Sequence, residues 1–221
     1  MSGIANYLSG KNIIIIVGHY GAGKTNLAVN LSVWLRCTLV DLDMVNPYFR
    51  SADSFAELAK LGIDCIAPEF ANSNLDIPAA PAAVNSLFSG GGRRAVIDVG
   101  GDGAGAVALG MFADKIKHEK YGMIYVINKY RPFISGAEQA AELARHIESK
   151  SGLKITAVIN NSNIGELTTE KTIADSIEYA NKTAELLTVP LIGTTFTADI
   201  DFCEKKEYNI LKIKNYTKKL F

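Results

Sequence analysis

The sequence predicts an α/β protein: a mainly parallel sheet of about seven strands covered by helices on both faces. Three observations carry that reading. Short runs of β-branched and other apolar residues recur along the chain with little polar alternation, the pattern of strands buried on both sides. Stretches with helical periodicity separate them, and a β-α-β-α order closes by right-handed crossovers into parallel pairs. A glycine-rich loop joins the first apolar run to the first helix without a gap.

The elements follow in order. Residues 13–17 are an unbroken apolar run and the first strand, and residues 25–35 are the helix after it. Residues 38–42, 63–67, 95–99, 123–127, 155–159 and 189–192 read as the next six strands. Helices at 54–61, 80–88, 106–118, 136–149 and 170–187 fill the gaps. Residues 209–221 carry Lys212, Lys214, Lys218 and Lys219 among Ile210, Ile213 and Leu220. They read as a final helix closing the sheet, with a surface-binding amphipathic helix as the alternative. The irregular loop 68–81 holds three prolines with Asn72, Asn74 and Asp76, and is either a surface connection or a lid.

Composition narrows the classes. The chain has 221 residues, 48% apolar and 21% charged, enough for one domain with a full core and unlike a disordered tail or a coiled coil. Lys+Arg and Asp+Glu are each 23, so the net positive charge of a nucleic-acid binder is missing. Cys37, Cys65 and Cys203 lie far apart with no CxxC, which argues against a zinc ribbon or a redox pair. No HExxH or GxSxG occurs. The start resembles no secretory leader, and no apolar stretch reaches the ~20 residues a membrane span needs. A cytoplasmic protein is the expectation.

The loop Gly18-His19-Tyr20-Gly21-Ala22-Gly23-Lys24-Thr25 matches GxxxxGK[ST], the phosphate-binding loop. Its glycines let backbone N–H groups converge on phosphate oxygens, with the positive end of a helix dipole behind them. On this reading Lys24 is a solvent-facing charge that reaches the β- and γ-phosphates, the Thr25 hydroxyl binds Mg²⁺, and Asn26 completes the nucleotide-contacting stretch. A dinucleotide-binding turn fits less well. Gly21-x-Gly23 begins GxGxxG, but the third position is Asn26, and Lys24-Thr25 is intact.

A triphosphate site needs a further acid at the end of a neighbouring strand. Arg94-Ala95-Val96-Ile97-Asp98 supplies it, and Gly101 completes D-x-x-G, placing an N–H where it can sense a γ-phosphate. Val40-Asp41-Leu42-Asp43 offers two more carboxylates. One would orient water or complete the metal shell while the other caps the turn. Asp43 is preferred for water and metal because it lies further beyond the strand end. The catalytic candidates are Lys24, Asp43 and Asp98, and the metal candidates Thr25, Asp43 and Asp98.

Together with Val158-Ile159-Asn160-Asn161-Ser162, these segments resemble the MinD/ParA/nitrogenase-iron-protein branch of P-loop NTPases. The resemblance implies one nucleotide-binding domain over residues 1–221, ATP/ADP and Mg²⁺ as ligands, frequent dimerisation around nucleotide, and partner switching on hydrolysis. It implies an adenine-reading asparagine, Asn160 or Asn161, with Asn161-Ser162 the better match. It also implies that Pro190, in Pro190-Leu191-Ile192-Gly193, closes over the base. One departure concerns the second loop position, where much of the branch has a lysine that reaches the facing subunit's nucleotide. Here it is His19, shorter and mostly neutral at pH 7, so the same fixed charge is missing. The CxxC of the iron–sulfur members is also missing.

Other signals select less. Asn46-Pro47-Tyr48-Phe49-Arg50 follows the acidic pair, its aromatics serving a partner or the core. Arg50, Arg93, Arg94 and Arg131 are candidate stabilisers of transferred phosphate, and spacing singles out none. After 123–127 comes Asn128-Lys129-Tyr130-Arg131, where a guanine reader would have N-K-x-D. Arginine has only donors and cannot accept the guanine N1 and N2 protons, so adenine is the expected base. The function expected is an ATP-binding, Mg²⁺-dependent switch ATPase, slow without an unidentified protein partner. The alternatives are an ATP-dependent ligase or kinase with a small-molecule acceptor, similar to dethiobiotin synthetase, and a nucleotide-binding module without turnover.

Overall fold

The computed structural model describes residues 2–43, 52–66, 82–88, 93–101, 103–197 and 209–216. Its strands are β1 (Ile13–Gly18), β2 (Thr38–Leu42), β3 (Cys65–Ile66), β4 (Ala95–Val99), β5 (Tyr121–Ile127), β6 (Ala157–Asn160), β7 (Leu191–Thr197) and β8 (Ile210–Ile213). They form one sheet in the order β3-β2-β4-β1-β5-β6-β7-β8. Every neighbouring pair is parallel. The helices are α1 (Ser2–Leu8), α2 (Lys24–Leu35), α3 (Ala52–Lys60), α4 (Ala82–Ser86), α5 (Gly103–Gly110), α6 (Ala113–Lys117), α7 (Ala137–Ser151), α8 (Glu170–Ala174) and α9 (Ile177–Leu187).

The apolar runs are explained by two core layers. Ile13, Ile15 and Val17 pack with Leu109 of α5, Ala140 and Ala144 of α7 and Ala180 of α9. Ile14 and Ile16 point to the other face, against Leu27 and Leu31 of α2 and Ile4 and Leu8 of α1. With both faces covered, no position of β1 has water to turn a polar side chain toward.

Several expectations need correction. The sheet has an eighth strand among the described residues, within the stretch 209–221 that the sequence predicts as a final helix. In β8, Leu211 and Ile213 are buried against the α2 layer while Lys212 is exposed, a period of two that a helix cannot satisfy. A lysine on such an outer strand also discourages further pairing. The helix α1 was not anticipated; it docks through Ile4 and Leu8, one turn apart. The long helices expected at 106–118 and 170–187 are each two. Ser176 breaks the second, its hydroxyl donating back to Ile173 O at 2.6 Å.

Parallel strands align their C-terminal ends on one edge of the sheet. Gly18, Leu42, Val99, Ile127, Asn160 and Thr197 therefore end strands on the same side. Arg93 and Arg94 lie before β4, on the opposite edge, and an Arg94 Nη donates to Leu8 O at the end of α1. That removes both from any phosphate role. Among the described residues no helix is long and apolar enough to cross a membrane. Residues 46–50, the loop 68–81, and Lys218, Lys219 and Leu220 lie outside the described residues.

Candidate functional site

The loop after β1 turns into α2 at Gly23, whose φ of +88° is a left-handed value that L residues rarely adopt. A Cβ there would stand 2.2 Å from Asn161 Nδ2, so glycine is required by space as well as by conformation. Lys24 is buried rather than solvent-facing, at 7% exposure, and its Nζ donates to His19 O at 3.2 Å. The ammonium thus folds back across the loop. His19 Nδ1 lies 2.7 Å from Tyr20 O, which requires the proton on that nitrogen. Tyr20 itself is exposed.

The end of β4 closes against this loop. A Cβ on Gly101 would meet Tyr20 N at 2.6 Å and Lys24 Nζ at 2.9 Å, so the Gly101 backbone packs directly on the loop. The Thr25 hydroxyl donates to Asp98 Oδ2 at 2.6 Å. Asp98 is buried, and its Oδ1 is shielded with no hydrogen-bond partner. Asp41 pairs with Asp98 in the β2–β4 register and is wholly buried. Its Oδ1 accepts the Asp43 amide at 2.9 Å, leaving Asp43 as the half-buried carboxylate beyond the strand. Burial, and then the neighbouring Asp41, push the Asp98 carboxyl up to about 7 against the pull of Lys24 and Thr25. Burial, with Asp41 and Asp98 adding to it, also raises the nearby Cys65 thiol to about 12, so no thiolate nucleophile is supplied there.

These groups fit Mg²⁺. Thr25 and Asp98 are hard oxygen donors, and the orphaned Asp98 Oδ1 is the kind of buried atom a cation satisfies. Among the described residues no group of three His, Cys, Asp or Glu side chains is arranged to hold a metal unaided. Mg²⁺ takes one or two protein oxygens and the rest from phosphate and water.

On the other flank of the loop a cleft of about 440 Å³ opens between Gly21, Gly23 and Asn26 and the ends of β6, β7 and β8. Asn161 forms its back wall. Its Nδ2 donates to Ala22 O at 2.6 Å, and Thr195 Oγ1 donates to its Oδ1. The carboxamide therefore braces the loop between β1 and α2. Asn160 is corrected: it is fully buried, its Nδ2 donating to Ser176 Oγ at 2.8 Å and its Oδ1 accepting from Ser162, so it is not presented to the cleft. Pro190 is corrected too. It precedes β7 on the edge of the sheet opposite the loop, where its carbonyl accepts Val158 N at 2.9 Å. Thr195, Phe196 and Thr197, at the other end of that strand, line the cleft instead. Asn26 Oδ1 accepts Tyr216 N at 2.9 Å, tying the chain after β8 to the loop helix. Sequence reasoning missed Thr195 and Asn163; the polar Thr194-Thr195 pair inside an apolar strand was the available signal for the first.

No family model and no curated protein matches the chain. Solved structures do resemble it. The signal recognition particle receptor FtsY from Elizabethkingia anophelis superposes with a TM-score of 0.51 at 19% identity, over 96% of this chain and 65% of that one. The same receptor in complex with GDP gives 0.50 at 20% identity, over 95% and 62%. Chloroplast FtsY from Physcomitrella patens gives 0.51 at 14% identity, over 96% and 66%. The chain thus spans slightly less than two thirds of the first two receptors. Identities this low speak for the fold alone, and the narrower MinD/ParA placement rests on the sequence motifs. At the level of architecture, the chain is an α/β protein whose described residues form a parallel eight-stranded sheet, and it shares this fold with these receptor structures.

Proposed function

We propose that this chain is a Mg²⁺-dependent ATPase of the MinD/ParA-like type, working as a nucleotide switch. The observation that carries the reading is the Thr25–Asp98 hydrogen bond, with Lys24 and Gly101 converging on the same loop. In this reading the loop amides and Lys24 neutralise the phosphates, and Thr25 and Asp98 hold Mg²⁺. The ion when bound withdraws charge from the β- and γ-oxygens. Asp43 positions the attacking water. Gly101, packed on Tyr20 N and Lys24 Nζ, is placed to shift when a γ-phosphate enters, which would carry the nucleotide state into α5.

Adenine is the proposed base. The turn after β6, Asn161-Ser162-Asn163, offers carboxamides and a hydroxyl but no carboxylate for guanine N1 and N2. Among the described residues the one carboxylate lining the cleft is Glu166, exposed on the turn beyond. The test is phosphate release from ATP and GTP with Mg²⁺ by the purified chain and its Lys24→Ala variant. Slow, Lys24-dependent release from ATP, below about 1 s⁻¹, supports a switch awaiting a partner. Release unchanged in Lys24→Ala, or release from GTP alone, contradicts it.

A further inference from the structure

Arg131 is placed where spacing alone could not put it. β5 runs beside β1 on the flank opposite β4, so the turn after β5 lies against the phosphate loop from the side away from Asp98. There Arg131 Nε donates to Gly21 O at 2.8 Å. A Cβ on Gly21 would lie 3.4 Å from the guanidinium carbon, so the planar group rests directly on the loop backbone. The side chain is exposed, and no hydrogen bond to a described residue uses its terminal Nη groups. Of the described residues lining the cleft beside the loop, Arg131 is the only cation.

The turn that carries it is held in place. Asn128 is fully buried; its Oδ1 accepts Tyr130 N at 3.0 Å and its Nδ2 donates to Asn163 O at 3.1 Å. Lys129 N donates to Ser162 Oγ at 2.9 Å, and Tyr130 OH to Thr172 O at 2.6 Å. Phe133, two residues on, sits at φ +69°, a conformation that persists only where the surroundings enforce it. The turn is therefore held before any ligand arrives, and the Nε–Gly21 O bond restrains the guanidinium beside the loop, which lowers the cost of binding a ligand there.

We infer that Arg131 is a nucleotide-binding residue that holds the phosphate chain from the nucleoside side, at the phosphate next to the ribose. This rests on the nucleotide reading above. Two cations then grip the chain from opposite flanks: Lys24 on the flank of Gly101 and Asp98, and Arg131 on the flank of the cleft. A guanidinium with one N–H committed to Gly21 O keeps its terminal donors for phosphate oxygens, a stronger contact than a neutral group offers.

The test uses the whole chain and its Arg131→Ala variant, titrated with AMP, ADP and ATP in Mg²⁺, with the guanine series in parallel so that the base does not enter. The expected result is a Kd raised about tenfold for mono-, di- and triphosphate alike, the usual size for one charged contact. The gap should narrow as salt rises from 50 to 500 mM, because screening weakens a charge contact and leaves a purely structural brace untouched. Equal affinities for wild type and variant overturn the inference and leave the nucleotide reading standing. A loss confined to the triphosphate, or one that salt does not change, also overturns it. If wild type binds no nucleotide, the wider reading falls and the inference with it.

Discussion

The Thr25 hydroxyl donates to Asp98 Oδ2 at 2.6 Å, joining the first turn of α2 to the end of β4 across 73 residues of chain. The β1–β4 pairing makes this contact: Ile16 is in register with Asp98, so the loop leaving β1 starts its helix beside that carboxylate. Without a ligand, Asp98 keeps one oxygen satisfied and one orphaned. Mg²⁺ dependence should follow. Chelating Mg²⁺ should weaken ATP binding to the wild type tenfold or more, and Thr25→Ala should erase most of that difference. Equilibrium titration in Mg²⁺ and in EDTA reads it, and a Thr25→Ala protein with undiminished Mg²⁺ dependence would refute the assignment.

The same buried carboxyl makes the free protein sensitive to pH. Asp98 is raised from 3.8 to about 7, first by burial and then by Asp41. The folded state therefore binds this proton more tightly than the unfolded chain does. Its stabilising contribution is complete below the unfolded value and is lost as pH rises through about 7. Urea unfolding at pH 5 and pH 8, in EDTA, should show wild type losing more stability than Asp98→Asn. The difference should be a few kcal/mol at most, since one pKa unit is worth about 1.4 kcal/mol. Equal losses would mean that Asp98 does not titrate in this range.

Much of this site is legible in the sequence because its chemistry is local. The spacing from Gly18 to Thr25 and the acid ending an apolar run both survive without knowledge of the fold. The parts that were not legible depend on register or strand order. The apolar run puts the seventh strand at 189–192 and Pro190 with it, whereas β7 runs Leu191–Thr197. Its polar stretch Gly193-Thr194-Thr195 does not read as buried, yet Thr195 is satisfied by Asn161 in the turn just after β6. Moving the strand by a few residues moves its ends from one edge of the sheet to the other. Likewise β8 alternates over only four residues, and Arg131 reaches the loop only because β5 neighbours β1.

Asn161 is a brace in this structure, and a brace behaves differently from a base reader. Asn161→Ala removes the donor to Ala22 O and the acceptor for Thr195. Losing partners for buried groups costs about 1–3 kcal/mol. The nucleotide-free variant should therefore melt several degrees lower and bind ATP and GTP with proportionally reduced affinity. Thermal unfolding and competition against a fluorescent nucleotide test it together. An unchanged melting temperature with a loss for ATP alone would make Asn161 a base reader after all.

Lys24 is the cation that the loop would offer the phosphates. Its Nζ is buried and donates to His19 O, so Lys24→Ala leaves one carbonyl without that donor, a cost of about 1 kcal/mol that a folded protein tolerates. The phosphates lose their buried cation at the same time. Calorimetric titration of ATP·Mg²⁺ into wild type and into Lys24→Ala, each shown to be folded by circular dichroism, separates the two effects. The expected result is measurable binding to wild type and a loss of about a hundredfold or more in the variant. Wild-type affinity in a folded Lys24→Ala protein would contradict it.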